Sequence, residues 1–332
     1  FMEKKRREIF KFFFSFLFFY FIKFNINLLA SSSRTKIITN PIFFKHHISK
    51  EHPESPERIK YILNYLQKTD YVKLIEIIET NRNVENWIKK IHTNQHIISL
   101  KKNHSIAEEV SKYAVRICLE AVDMILRKES KNIFCAVRPP GHHALNTGKE
   151  EGFCYYNHIA ITAKYIQQKY NLKKILIIDW DYHHGNSTES FFYNDPSVLF
   201  FSTHDRYAYP GTGLPSKEGK GKGYGFNINV HLPCGTEDDK ILSVFNKILI
   251  PKANLFKPDF ILISSGFDSR INDLLGCYKI TDIGFKKLTK IVTNLAAKHC
   301  DNRIISILEG GYNLDGNAKA SIAHVSELNN LN

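Results

Sequence analysis

The sequence predicts an α/β fold in which a mostly parallel central sheet lies between two layers of helices. Six short apolar runs of strand length recur along the chain, at 133–137, 175–178, 198–201, 226–230, 260–263 and 304–308. Helical apolar patterns lie between several of these runs, at 157–169, 239–250 and 282–298. This alternation is typical of a parallel sheet with both faces covered by helices, which is a three-layer α-β-α architecture.

Two further helical patterns precede the first run or lead into it. Segment 52–67 opens with turn residues and then shows apolar residues at helical spacing, and segment 107–128 has the same period. The chain of 332 residues is long enough to bury a large core. Because no Pro-, Gly- or Ser-rich linker and no internal repeat interrupts it, we expect residues 36–332 to form one domain.

Residues 1–35 differ in composition from the remainder, and we exclude them from the predicted fold. A basic cluster at 4–7 precedes a Phe-rich apolar run at about 12–30, which Lys23 and Asn25 interrupt. The run is shorter than a comfortable membrane crossing of about 20 residues. Three explanations stay open: a cleaved or anchoring leader, a transmembrane helix, and a gene-model artefact. Membrane attachment is expected only if this segment is a retained anchor.

The charge and the cysteines point to an ordinary globular protein. The chain has 46 Lys and Arg against 33 Asp and Glu, and the excess is spread as Lys over predicted helices without an interleaved basic-aromatic motif. We therefore expect no direct sequence-specific binding of nucleic acid. The six cysteines show neither a CxxC motif nor zinc-finger spacing, so we expect reduced, mostly buried thiols. They are Cys118, Cys135, Cys154, Cys234, Cys277 and Cys300.

Polar residues follow five of the six predicted strands. The strands lead into RPPGHH (138–143), DWDYHHGN (179–186), STHD (202–205), SSGFDS (264–269) and EGGYN (309–313). Open α/β sheets build their sites beyond the carboxyl ends of strands. We therefore expect these five segments to form a single site.

Asp181, His183 and Asp268 are the candidate metal ligands. In an extended segment side chains alternate between faces, so Asp179, Asp181 and His183 are expected to point the same way. Three protein ligands leave a fourth position for water or substrate, as in catalytic zinc sites. Two carboxylates and one imidazole suit zinc, and they also fit ferrous iron or manganese.

A base and an oxyanion donor would complete a hydrolase site. His142 and His143 are candidates for the base, because imidazole has the unperturbed pKa nearest neutrality. Tyr312, after a Gly-Gly turn, could place a phenol over a polarised carbonyl. Taken alone, a histidine pair and a tyrosine on a glycine turn are ordinary features. Beside a metal cluster they indicate a metal-dependent hydrolase.

With these motifs in this order, the chain resembles the zinc-dependent histone deacetylase family, which has the arginase/deacetylase fold. It is most similar to the class II and bacterial amidohydrolase-like branch. The resemblance spans about 36–325 and implies hydrolysis of the amide of N-acetyl-lysine side chains, on histones or other proteins, with one zinc ion. The motifs that carry it are HPESPER, RPPGHHA, GFCYYN, DWDYHHGN, PGTG, SSGFD and LEGGYNL.

The resemblance also implies a role for each catalytic residue around the three zinc ligands. His143 would be the general base, oriented by Asn186, and His142 would be an electrostatic histidine paired with Asp179. A neutral amide supports an imidazolium less than a carboxylate does, so His143 would stay available as a base. Tyr312 would stabilise the transition state, and its presence predicts an active enzyme.

The resemblance further implies a substrate channel and a second cation. Gly152, Phe153 and Tyr209 would line a narrow channel for the acyl-lysine stem, with Leu275 on its rim. A potassium ion near the zinc is expected as a structural ion. Its side-chain and backbone ligands would come from Asp179, Asp181, His183 and Ser202.

Three departures from the family pattern stand out. Ser187 replaces a usual glycine and would cost on the order of 1 kcal/mol if the position requires a positive φ. Tyr182 stands where a small aliphatic residue is usual. Segment 91–111 is shorter than the family pattern and lacks the aspartate that grips the substrate backbone in relatives. These departures keep open a catalytically weak deacetylase-like binding or scaffold protein.

Two further interpretations compete with hydrolysis of acetyl-lysine peptides: a deacetylase of small amides and a two-metal hydrolase. Relatives specialised for acetylpolyamines carry an acidic residue at the position of Leu275, so the leucine favours peptides over small amides. An arginase-type two-metal hydrolase is disfavoured, because no second cluster of carboxylates is evident.

The family resemblance also implies partners and a compartment. Acetylated proteins or histone tails are the expected partners, with a corepressor-type complex as one setting, in the nucleus or cytoplasm. An organelle, plastid-like or mitochondrial, is expected instead if residues 1–35 are a real leader.

Overall fold

The computed structural model describes residues 35–330. The leader or artefact predicted at 1–35 therefore lies outside the described residues, except for Thr35, which begins the first strand. Within the described part of the chain, no helix is long and apolar enough to cross a membrane.

Residues 35–330 contain one eight-stranded sheet in which every strand pairing is parallel. The predicted fold class is thereby confirmed. The strands are β1 (Thr35–Thr39), β2 (Ile75–Ile77), β3 (Asn132–Cys135), β4 (Ile175–Asp179), β5 (Val198–His204), β6 (Asn227–His231), β7 (Phe260–Ser265) and β8 (Ile304–Leu308). Their spatial order is β2-β1-β3-β8-β7-β4-β5-β6.

This strand order decides where the polar motifs meet. The five strands that precede them, β3, β8, β7, β4 and β5, are consecutive neighbours in the sheet. Because all strands are parallel, their carboxyl ends share one edge, and the five motifs come together there. The sixth predicted strand, β6, lies at the outer edge of the sheet beyond β5.

Helices cover both faces of the sheet. The α-helices in the described residues are Glu57–Leu66, Glu85–Ile88, Asn94–Asn103, Ser105–Leu126, His158–Tyr170, Asn186–Phe192, Asp238–Val244, Ile250–Phe256, Asp282–His299 and Leu314–Asn329. The helix predicted at 239–250 continues to Phe256, because a π-helical turn, Phe245–Leu249, joins Asp238–Val244 to Ile250–Phe256. Side-chain caps begin several of them, such as Asn157, whose carbonyl oxygen accepts the N–H of Ala160 at 2.8 Å.

The hydrophobic core lies on both sides of the sheet, because alternate residues of each strand point to opposite faces. In β4, Leu176 and Ile178 belong to one buried cluster, whereas Ile175 and Ile177 belong to the other. Both clusters are dominated by fully buried residues. The continuous apolar run ILII is therefore the signature of a strand buried on both faces.

Two strands escaped the sequence prediction for a physical reason. Strand β2 has only three residues, and β1, with sequence TKIIT, has only two adjacent isoleucines between polar residues. Such short segments carry too few apolar positions for a period to be detected. Strand β1 pairs with both β2 and β3, and this pairing makes the two short segments strands although their own sequences do not identify them.

The expectation that all six cysteines are reduced is wrong for two of them. Cys234 and Cys277 are joined in a disulfide, with their Cα atoms 5.2 Å apart. The other four cysteines are free and buried, as predicted. The pair is 43 residues apart in sequence, and tertiary folding brings its members together.

Candidate active site

The three candidate metal ligands lie together beyond the ends of β4 and β7. Their donor atoms are all within 4.8 Å of one another. His183 Nδ1 is 3.2 Å from Asp181 Oδ1 and 3.0 Å from Asp268 Oδ2. Strand β4 ends at Asp179, so the ligands Asp181 and His183 belong to the following loop and not to an extended strand.

Backbone groups and glycines hold the two carboxylates in place. Asp181 Oδ2 accepts the N–H of Gly310 at 2.8 Å, and Asp268 Oδ1 accepts the N–H of Tyr182 at 2.8 Å. A Cβ atom at Gly266 would lie only 1.9 Å from Asp181 Oδ2. The chain thus approaches the carboxylates so closely that a larger residue would displace them. Such outer contacts fix the orientation of metal ligands.

The electrostatics of this cluster suit a cation. Asp181 and Asp268 are fully buried, and burial together with the charge of Asp181 raises the pKa of Asp268 to about 7. Buried carboxylates are costly unless a positive charge compensates them. A divalent ion held by Asp181, His183 and Asp268 would supply that charge, so the donor set fits the predicted metal.

The two histidines of RPPGHH stand beside each other with different partners. Their ring centroids are 4.0 Å apart. His142 Nδ1 lies 3.0 Å from Asp179 Oδ2, and His143 Nδ1 lies 2.7 Å from Asn186 Oδ1. The family resemblance implied these same two contacts, and the catalytic roles of the histidines stay predictions. One histidine therefore faces a carboxylate and the other a neutral amide.

These partners separate the pKa values of the two histidines. Burial opposes protonation of His142, but the carboxylates of Asp181 and Asp179 outweigh it and hold its pKa well above 6.5. Burial lowers the pKa of His143 well below 6.5, and the neighbouring His142 and His183 add to this effect. The pKa values of the two histidines are therefore shifted in opposite directions.

Glu309 is a site residue whose role was not predicted from the sequence. Its Oε2 accepts the N–H of Gly141 at 2.6 Å and of His142 at 3.2 Å, so it anchors the loop that carries both histidines. Burial raises its pKa to about 7. A signal was present, because this carboxylate directly follows a predicted strand in EGGYN.

Tyr312 is buried in the cavity wall and held from several sides. Its N–H donates to Asp273 Oδ2 at 2.7 Å, the guanidinium of Arg58 lies 4.9 Å from its ring centroid, and the ring of Phe153 contacts its edge. Burial raises its pKa well above 10, so the hydroxyl stays protonated. Neither Asp273 nor Arg58 was predicted from the sequence to have a role.

A buried ionic network holds the turn that precedes Tyr312. Glu54 binds Arg138 through two hydrogen bonds of 2.8 and 2.5 Å and contacts Arg58 at 3.3 Å. All three side chains are fully buried. Arg58 also donates to the carbonyl oxygen of Gly311 at 2.7 Å. The network joins the HPESPER and RPPGHH motifs to the turn before Tyr312.

A cavity of about 520 Å³ opens above these groups. A Cβ at Gly152, whose φ is +52°, would lie 2.4 Å from His143 Cδ2, so only glycine fits this part of the wall. All four residues predicted for the channel line the cavity, and Glu150, Tyr182 and Ala208 line it without having been predicted. The lining residues are His143, Glu150, Gly152, Phe153, Tyr182, His183, Ala208, Tyr209, Leu275 and Tyr312.

The residues predicted to hold potassium are Asp179 at the end of β4, Asp181 and His183 in the loop after it, and Ser202 within β5. The parallel register places Ser202 opposite Asp179, and Ser202 Oγ is 2.8 Å from His204 Nδ1. Asp179 also accepts the N–H of Asp181 at 3.1 Å. The carbonyl ligands required for potassium stay a prediction.

Two of the three departures cause no strain. Ser187 lies in the helix Asn186–Phe192 without a positive φ, so the expected cost does not arise there. Its hydroxyl instead accepts a hydrogen bond of 2.5 Å from the Asn157 side chain. Tyr182 packs against Tyr278, and its hydroxyl lies 3.1 Å from Asp205 Oδ2.

The third departure is the shortened segment 91–111, in which one helix follows another almost directly. Asn94–Asn103 and Ser105–Leu126 are separated by His104 alone. The segment contains no aspartate. His96 links this segment to the loop that carries the cavity-lining residues Gly152 and Phe153. Its Nε2 lies 2.9 Å from the carbonyl oxygen of Tyr155, and its Nδ1 accepts the N–H of Gly148.

Comparisons with known proteins agree with this geometry. A family model described as "Histone deacetylase domain" matches residues 52–328. A "Probable deacetylase" of Archaeoglobus fulgidus is 36% identical over 297 residues, which cover 85% of this chain and 82% of that protein. "Histone deacetylase 14, chloroplastic" of Arabidopsis thaliana is 33% identical over 300 residues, covering 81% of this chain and 71% of that protein.

A solved structure matches as well. The "Crystal Structure of HDA15 HD domain" has a TM-score of 0.83 and 30% sequence identity with this chain. The match covers 90% of this chain and 89% of the other. Sequence and fold therefore lead to the same group of proteins.

Proposed function

Because the chain belongs to the histone deacetylase family, we propose that it is a zinc-dependent enzyme that hydrolyses the amide of N-acetyl-lysine side chains. The observation that carries the proposal is the cavity of about 520 Å³, which exposes His143, His183 and Tyr312 to one space. Acetylated proteins, including histone tails, are the proposed substrates, and a corepressor-type complex is a proposed setting.

Asp181, His183 and Asp268 would hold the zinc ion, which supplies Lewis-acid polarisation of the substrate carbonyl and of water. Their mutual distances and burial support this assignment. Asp179 and Ser202, with Asp181 and His183, would contribute to a structural potassium site.

His143 would take the proton from the attacking water. Asn186 Oδ1 accepts the Nδ1–H of His143 at 2.7 Å, which leaves Nε2 free to bind a proton. The low pKa of His143 keeps it unprotonated at neutral pH. His142, held beside Asp179, would stabilise negative charge that develops nearby.

Tyr312 would donate a hydrogen bond to the oxyanion of the transition state. Its position is set before substrate binds, because Asp273, Arg58 and Phe153 hold it from different sides. A donor that needs no reorganisation during the reaction is the kind that accelerates acyl transfer. Phe153 and Tyr209 would enclose the acyl-lysine stem.

A second candidate function is hydrolysis of N-acetylated polyamines. Glu150 is the carboxylate among the cavity-lining residues, and it would attract the remaining ammonium groups of such a substrate. Leu275, the apolar residue on the rim, favours peptides instead. Turnover of an acetyl-lysine peptide and of an N-acetylated polyamine by the same sample distinguishes the two candidates.

The substitution Tyr312→Phe tests the proposed chemistry. We expect kcat for an acetyl-lysine peptide to fall by about 100- to 1,000-fold, because an oxyanion donor is lost. Acetate release and hydroxamate binding by the zinc-loaded protein are the measurements. A folded, zinc-loaded wild-type protein that neither releases acetate nor binds hydroxamate would refute the proposal. Turnover unaffected by the substitution would instead remove Tyr312 from the mechanism.

A further inference from the structure

The disulfide between Cys234 and Cys277 joins two loops beside the cavity. Cys234 follows β6, and Cys277 lies between β7 and the helix Asp282–His299. The backbone holds the loops together independently of the sulfur atoms. The N–H of Gly235 donates to the carbonyl oxygen of Cys277 at 2.9 Å. The N–H of Lys279 donates to the carbonyl oxygen of Thr236 at 2.8 Å. The two cysteines therefore stay neighbours whether or not they are bonded.

This pair differs from the other cysteines in its access to solvent. Cys234 is exposed and Cys277 is half-buried, whereas the four free cysteines are buried. Thiol-disulfide exchange requires that a thiolate reach one sulfur atom. In the disulfide-bonded structure Cys234 Sγ lies 3.6 Å from the carbonyl oxygen of Cys277, which is an acceptor for the thiol S–H after reduction.

The pair also contacts residues that line the cavity. Leu275 lines the cavity two residues before Cys277. The hydroxyl of Tyr182 lies 3.0 Å from Cys277 Sγ, and its ring belongs to the same cavity wall. Tyr182 stands between the proposed metal ligands Asp181 and His183. Cys277 is thus in direct contact with a residue of the cavity wall.

We propose that Cys234 and Cys277 form a reversible disulfide whose closure holds the cavity rim in place and increases affinity for the substrate. The inference about affinity rests on the proposed deacetylase function. A disulfide limits the relative movement of the two loops, so its loss would let the exposed Leu275, two residues before Cys277, occupy more positions. Binding would then include the cost of ordering this side chain and its loop again.

The exchange partner is a small monothiol of the glutathione class. Its thiolate attacks the exposed Sγ of Cys234, and Cys277 leaves as a thiolate that takes up a proton. A second thiolate attacks the small-molecule sulfur of the mixed disulfide, which releases the Cys234 thiol and the oxidised small molecule. Exchange with oxidised glutathione runs the same steps in reverse.

The test uses the whole, zinc-loaded protein in buffers of reduced and oxidised glutathione. Differential alkylation with mass spectrometry reports the state of Cys234 and Cys277, and steady-state kinetics report KM and kcat for an acetyl-lysine peptide. On reduction we expect KM to rise about three- to tenfold, with kcat little changed. The variant Cys234→Ser should show the higher KM in both buffers, and the control Cys300→Ala should respond as the wild type.

Two results would overturn the inference while leaving the proposed function intact: thiols that stay reduced in oxidised glutathione, or equal KM values in both states. Hydrogen exchange of segment 270–280 supplies a readout that needs no turnover. Faster exchange on reduction is expected in the wild type and not in Cys234→Ser. Equal hydrogen-exchange rates in the oxidised and reduced protein would contradict the ordering of the rim, whether or not the protein is a deacetylase. Absence of deacetylase activity would refute only the proposed function.

Discussion

The floor and the rim of the cavity are built in different ways. On the floor, Asp181 and Asp268 are fully buried, and each accepts a backbone N–H bond from a distant part of the chain. On the rim, Tyr209 is 49% exposed and Leu275 is 39% exposed. The floor is thus determined by many simultaneous contacts and the rim by few. Chemistry should be sensitive to any change on the floor, whereas substrate choice should vary with small changes on the rim.

The largest effect is expected from Asp268→Ala on the floor. Loss of one of three ligands should remove the metal and reduce turnover by at least about 1,000-fold, because the carbonyl and water are no longer polarised. Metal content by mass spectrometry and acetate release check this. Asp239→Ala, at an exposed position outside the cavity lining, is the control and should keep both properties. A variant that retains its zinc and its turnover would remove Asp268 from the ligand set.

An intermediate effect, on pH dependence, is expected from Asn186→Asp. In the proposed mechanism the unprotonated form of His143 is the active one. Its pKa is held well below 6.5, so wild-type kcat/KM should persist below pH 6.5 and fall only at more acid pH. A carboxylate beside Nδ1 stabilises the imidazolium and raises the pKa of His143. The acid limb of the pH profile should therefore move to higher pH.

Asn194→Asp controls for the added charge, since Asn194 is exposed and outside the cavity lining. Its pH profile should match that of the wild type. An acid limb that stays in place in Asn186→Asp, or moves equally in both variants, would mean that His143 is not the base.

The smallest effect is expected on the rim, from Leu275→Glu. A carboxylate there should raise kcat/KM for an N-acetylated polyamine relative to an acetyl-lysine peptide by about two- to fivefold, since exposed ion pairs contribute up to about 1 kcal/mol. The ratio of the two kcat/KM values is the measurement. Leu274→Glu, exposed but outside the cavity lining, is the matched control. An unchanged ratio would show that this part of the rim does not select substrates.

Much of the floor could be predicted because its signals are local in sequence. The ILII run and the polar residues after it indicate a buried strand that ends in a site, and the same logic applies to RPPGHH and SSGFDS. The fold class and the family that these motifs predicted are confirmed. The catalytic roles of the individual residues stay predictions until the variants are measured.

The features that the sequence did not reveal all depend on contacts between distant segments. Glu309 anchors Gly141 from 168 positions away, Arg58 supports the turn before Tyr312, and Cys234 bonds Cys277. Apolar periodicity and turn residues encode which segments become strands and helices, because those preferences act between neighbours along the chain. They do not encode the order of strands in the sheet. The order β3-β8-β7-β4-β5 is what joins the five motifs, and it exists only in the folded protein.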